Sequence, residues 1–133
     1  MAFIHGKGTV HTINAVDLSA FATEIDWTQT ADKHDVTTFG ATAHVYQGGL
    51  LDGTATIKGV YDSGNAGPGK TIRPLIGTVT PLVYEPEGIS SGKPVHTVNV
   101  LVTSFNETAP VADMIKWTCQ VQFAGAVADT SHA

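Results

Sequence analysis

Two glycine-rich stretches of this 133-residue chain match signatures of chemistry. Gly64, Gly69, Lys70 and Thr71 fit G-x-x-x-x-G-K-[ST], a pattern in which backbone amides cradle phosphates and the lysine reaches the terminal ones. That chemistry needs a compact loop, a long helix and a parallel sheet behind it. Pro68 removes one amide, Pro74 limits the helix, and no later strand ends in an Asp placed for Mg²⁺. Gly88, Ser90 and Gly92 fit G-x-S-x-G, which exposes a nucleophilic serine only where a strand runs into a helix. Pro86 and Pro94 bracket it instead, so the stretch reads as a hairpin tip.

The remaining reactive side chains are scattered. His5, His11, His34, His44, His96 and His132 never fall at a paired metal-ligand spacing, and Cys119 has no second cysteine. His34 beside Asp35 is the one pair with the makings of a site, and a solvated loop pair accounts for it. Cys119, between Trp117 and Val121 on an apolar face, reads as a small core side chain. Asn106, Glu107 and Thr108 form a glycosylation sequon without a secretory signal. No carboxylate pair stands out as an acid/base couple. The expectation is no catalytic residue, no cofactor and no metal.

Elements that could position a site read as strands. One domain is expected from the length, and no apolar run is long enough to span a bilayer. Met1 to Gly8 lacks the apolar stretch of a signal peptide, so the chain is expected to be cytosolic when made. Charged residues make up 14% of it, few enough for partners to cover part of the surface. Seven Lys and Arg stand against twelve Asp and Glu, and the basic residues are dispersed. This argues against a nucleic-acid binder that grips phosphates.

In chain order, residues 1–6 form an arm carrying Phe3 and Ile4, which either frays or docks on a neighbour. Lys7 to Ile13 reads as a first strand, and Asn14 to Ala20 as a connection with at most one turn of helix. Phe21 to Thr30 alternates, with Phe21, Ile25 and Trp27 on the core face and Glu24 and Asp26 on the wet one. Residues 34–49 form a long polar loop holding Asp35, Phe39 and Tyr46. A turn carrying Leu50 and Leu51 follows, then a strand from Gly53 with Ala55, Ile57, Gly59 and Tyr61 on one face. Thr71 to Thr78 is the helix candidate, capped by Thr71, with Ile72, Leu75 and Ile76 on one side. Pro81 to Glu85 and Val95 to Phe105 are strands. Met114 to Phe123 alternates most sharply, with Ile115, Trp117, Cys119, Val121 and Phe123 pointing one way. Residues 127–133 are expected as a polar C-terminal tail. The fold class is all-β with one short helix: two packed antiparallel sheets, a sandwich or barrel, flanked by the helix.

One stretch adds a family likeness. The segment Asp35 to Asp62 opens Asp-Val-Thr, continues through a polar arm, an aromatic and a Gly-Leu-Leu-Asp-Gly turn, and ends in a Thr-rich strand closing Gly-Val-Tyr-Asp. With the Ser-Phe-Asn turn, the Pro-Val-Ala-Asp bend and the strand reaching Phe-Ala-Gly between Val102 and Ala126, it resembles the tail tube (major tail) proteins of long-tailed bacteriophages. The likeness runs from about Thr9 to Ala126. It implies a virion structural protein that forms hexameric rings, stacked into a tube through which DNA passes without specific binding. Tape measure, tail terminator and distal tail proteins are the implied partners, and no membrane insertion is implied. Phe3, Ile4, Asp35, Phe39, Tyr46, Leu50 and Leu51 are then candidate ring or stacking contacts, and Glu24 and Asp26 candidate lumen residues. Tail terminators and head-tail connectors share the sandwich. From a different class, a carbohydrate-binding sandwich would need exposed aromatics over a groove, and Trp27 and Trp117 already fall on core faces.

Overall fold

Alternating β-branched, aromatic and polar residues give a chain built almost wholly of strands. The computed structural model describes residues 6–62 and 67–132. The strands are β1 (Val10–Ile13), β2 (Val16–Asp17), β3 (Ala22–Asp35), β4 (Tyr46–Val60), β5 (Val79–Glu85), β6 (Pro94–Thr108), β7 (Lys116–Phe123) and β8 (Ala128–Ser131). One short helix, α1 (Pro68–Ile72), precedes β5 and runs into a 3-10 turn at Arg73–Leu75.

All pairings are antiparallel, and they form one sheet in the order β2-β1-β5-β6-β7-β4-β3, with β8 added on β6. The expected two sheets are thus two halves of one. The join is β6, whose residues up to Leu101 pair with β5 while those from Val100 onward pair with β7. A bulge between Val102 and Ser104 bends the strand where it changes partners, as bulges do at sheet corners. Beyond the bend the sheet rolls over. Trp27 on β3 stacks on Tyr84 of β5 at 4.9 Å between ring centroids, although β4, β7 and β6 lie between them in the sheet.

The core fills this roll. Ile13, Leu82, Val98 and Val100 come from one half, and Ala55, Ile57, Trp117, Cys119 and Val121 from the other, with Leu18 and Ile72 closing the ends. Trp117 is buried without orphaning its indole N–H, which donates to the Val60 carbonyl at 3.1 Å. The inward sets expected on β4 (Ala55, Ile57, Gly59) and on β7 (Trp117 through Phe123) are the buried ones. At Gly53 and Gly59 only hydrogen fits. A Cβ at Gly53 would lie 2.5 Å from the Phe123 ring, and one at Gly59 would overlap the Phe21 carbonyl oxygen.

Several boundaries differ from the sequence reading. Asn14 to Ala20 holds no helix: Asn14 and Ala15, at φ 49° and 65°, make the two-residue turn joining β1 to β2. The helix starts at Pro68 rather than Thr71, since Pro is suited to the first helical turn, and Ile76 leaves the core face to lie exposed. Met114 and Ile115 precede β7 and are exposed. Gly49 to Gly53 is no turn but part of β4, paired with β3. Residues 127–133, read as a tail, contain β8, which pairs with Pro94–Thr97 of β6.

Candidate functional site

The longest feature of the molecule leaves its body. Strands β3 and β4 pair from Ala22↔Gly59 outward to Asp35↔Tyr46, yet every residue from Thr28 to Asp52 is exposed. The 34–49 loop is therefore the end of a projecting hairpin, with its turn at residues 36–45. Leu50 and Leu51 are 81% and 77% exposed. Being adjacent on a strand, they point to opposite faces of the arm. Val36, Phe39, Val45 and Tyr46 extend the apolar surface to the tip, where Phe39 is fully exposed. A free two-stranded hairpin gains nothing from such residues in water.

The tip is organised by Asp35. Its carboxylate accepts from the Thr37 amide at 3.0 Å and the Thr37 hydroxyl at 2.6 Å, and the same hydroxyl accepts from the Val45 amide at 2.8 Å. These Thr37 bonds hold the Asp35 carboxyl below the usual carboxylate range. His44, not the neighbouring His34, stands 3.5 Å from Asp35 and stacks on Tyr46, while Lys33 lies over the Tyr46 ring. Asp35 thus shapes the tip, and Phe39 is what the tip presents.

The four strands β6-β7-β4-β3 also end in open edges. β3 is the last strand of the sheet. At the opposite side, Ser104–Thr108 of β6 pairs with β7 alone, the pairing with β5 having stopped at Val79↔Leu101. Between these edges the outward face is polar. It carries Thr54, Thr56, Thr118, Gln120 and Gln122, in register with Glu24, Asp26 and Thr28 of β3. Carboxylates Glu24, Asp26 and Asp52 share it with Lys58 and Lys116, and Lys58 lies 3.6 Å from Glu24. Glu24 and Asp26 are exposed side by side there, whereas Phe3 and Ile4 lie outside the described residues.

A cavity of about 410 Å³ opens at the root of the same hairpin, between β1 and the start of β3. His11, Ile25 and Tyr84 wall it, and the exposed Lys7, Thr23 and Glu24 stand at its rim. His11 is buried with Nε2 lacking a hydrogen-bond partner, and burial lowers its pKa, so the ring is neutral at pH 7. Nothing in the sequence marked this cavity, because β3 meets the paired strands β1 and β5 there only through the roll of the sheet.

The formal motifs are not assembled for chemistry. Gly69, Lys70 and Thr71 sit in the short α1, and Gly64 lies outside the described residues. Gly88 and Gly92 adopt φ of 89° and 80° in the hairpin joining β5 to β6, not a strand-to-helix turn. Burial pushes the Cys119 thiol up to about 12. No cluster of three metal-binding side chains occurs among the described residues, and no helix among them is long and apolar enough to cross a membrane. Trp27, Tyr84, Phe123 and His96 pack on one another and close the roll, so they offer no flat platform to a sugar.

No protein-family model matches the chain, and no curated protein matches it in sequence. Solved structures do match in fold. A chain from the virion of a native gene transfer agent particle aligns with a TM-score of 0.82 at 14% identity, covering 97% of this chain and 100% of that one. A chain from the tail of an empty gene transfer agent particle, described with C6 symmetry, aligns at 0.76 and 14% identity over 97% and 100%. The SPP1 tail tube aligns at 0.76 and 10% identity, over 97% of this chain and 80% of that one. The chain therefore has the fold of phage tail tube proteins.

Proposed function

We propose that this protein is a virion structural subunit that assembles into hexameric rings, stacked as a phage tail tube and serving as a conduit for DNA. The observation that carries this reading is the hairpin arm, solvated from Thr28 to Asp52 in the single chain and exposing Leu50 and Leu51 on opposite faces and Val36, Phe39, Val45 and Tyr46 towards its tip. Such surface becomes favourable only when neighbours cover it, at roughly 25 cal/mol per Å² buried. The tail tube fold supplies the context, and the C6 description of one structural neighbour favours hexameric rings.

Ring closure follows from the open edges. The unpaired side of β3 in one subunit pairs with Ser104–Thr108 of the next, removing edges that invite uncontrolled association in a monomer. Repeated round a ring, this joins the four-stranded halves into a barrel whose hydroxyl- and amide-rich face points inward. Glu24, Asp26 and Asp52 on that face repel phosphate, and Lys58 is engaged by Glu24, so DNA slides rather than binds. Tape measure, tail terminator and distal tail proteins are the expected partners at the lumen and the two ends.

Deleting residues 38–43 tests the stacking role of the arm. The body contributes no residue to that tip, so the expected product folds, forms rings and no longer polymerises, as read by sedimentation and electron microscopy. Continued tube growth would remove the arm from the account.

A further inference from the structure

We propose that the tip of one subunit's arm seats Phe39 in the cavity at the root of the hairpin of the next subunit, between His11, Ile25 and Tyr84. This rests on the arm-stacking reading above and names the surface that receives the arm.

The tip has the properties of a knob. Phe39 is fully exposed, and a Cβ on the adjacent Gly40 would meet nothing within 4 Å, so the backbone beside the ring can approach a partner closely. The Asp35, Thr37 and Val45 hydrogen bonds already fix the turn, which reduces the ordering cost of docking. The cavity has the properties of a hole. Its volume of about 410 Å³ lies within the range that holds small organic groups. Tyr84 and Ile25 line the cavity together with Thr9, Ser19 and Thr23, while His11 is buried and neutral, so a phenyl ring can pack on the tyrosine within a rim of polar side chains.

Charge at the mouth agrees. Lys7 stands at the rim and makes no ion pair among the described residues. Glu24, the other charge at the rim, is engaged by Lys58 at 3.6 Å, which leaves Lys7 to face Asp35, the half-exposed carboxylate that seating Phe39 brings towards it.

Position decides the partner. The cavity includes Ala22 to Ile25 at one end of β3, and the tip follows Asp35 at the other. Roughly 33 Å of strand separates them at about 3.3 Å per residue, so the knob cannot reach its own hole. Two different surfaces at opposite ends of a subunit make a heterologous contact, and such contacts repeat in an open stack when they do not close. The occupant of the cavity is therefore a second copy of this chain, one layer along the tube.

Paired cysteines give the test. In the full chain carrying Thr38→Cys and Thr23→Cys, mild oxidation of assembled tubes should give a ladder of covalent multimers on non-reducing gels, absent from either single variant. Thr23→Trp, which fills the mouth, should raise the critical concentration for tubes at least about tenfold, as should Phe39→Ala. If Phe39→Ala blocks tubes while the paired cysteines give no ladder and Thr23→Trp assembles normally, the cavity is not the receptor and the arm still stacks. If Phe39→Ala assembles normally, this inference fails, and the deletion of residues 38–43 decides separately whether the arm stacks. Should Thr23→Trp misfold, the cysteine pair, which leaves the mouth open, decides alone.

Discussion

Ala15 occupies a left-handed backbone position, φ 65°, in the turn between β1 and β2. For a residue with a Cβ this costs roughly 1–2 kcal/mol, partly offset by the larger unfolded-state entropy that glycine would bring. Ala15→Gly should therefore raise stability by about 0.5–1 kcal/mol, measured as a shift of the thermal midpoint; a lower midpoint would refute the turn geometry. Cys119 gives a pH prediction. Burial moves its thiol from an ordinary 9.0 up to about 12. Above pH 9.0 the unfolded chain has lost this proton while the native one keeps it, so stability falls with rising pH. The contribution is whole below about pH 9 and is lost progressively towards 12. Urea midpoints at pH 7, 9 and 10 should decline less steeply in Cys119→Ala than in the parent chain. Equal slopes would mean that the thiol is not protected.

At the scale of elements, the arm and the body should respond separately. Leu50 and Leu51 touch solvent on both faces of the hairpin, so Leu50→Ser with Leu51→Ser should change folding stability by no more than about 0.5 kcal/mol per site. Assembly should nonetheless weaken, and a large drop in the urea midpoint would show that the leucines pack within the chain. The sequence was most readable where one face is buried. Trp117, Cys119, Val121 and Phe123 alternate inward on β7 as their spacing implied, and the polar placement of Glu24 and Asp26 follows from the same period. It was least readable where geometry is non-local. Gly49 to Gly53 carries turn-like glycines, but Gly53 is small because the Phe123 ring presses on it, not because the chain reverses there. The Asn14 turn lacks the usual glycine partner. β8 is four small or polar residues whose pairing with Pro94–Thr97 depends on contacts far along the chain. His132, just past it, meets Glu85 at 2.7 Å across 47 positions, a contact with no local signal. Phe39 and Tyr46 were legible as apolar residues in a polar stretch, whereas the cavity walled by His11, Ile25 and Tyr84 was not.

The whole molecule is a rolled sheet with unfinished surfaces on several sides. Its core closes inside one chain, since Trp27 reaches across the roll to Tyr84 and Phe123. Its edges, arm and root cavity do not close there. β3 and the end of β6 offer hydrogen-bonding groups sideways, and the arm offers apolar surface along the other direction. On the proposed reading, lateral pairing would give rings and axial docking would give stacks, the two geometries that one chain needs to build a tube. Electron microscopy of the purified full chain across a concentration series, read beside its sedimentation, tests this directly. The account predicts rings at lower concentration that stack into tubes with a central hole as concentration rises. A monodisperse monomer throughout the series, with no ring at any concentration, would contradict it.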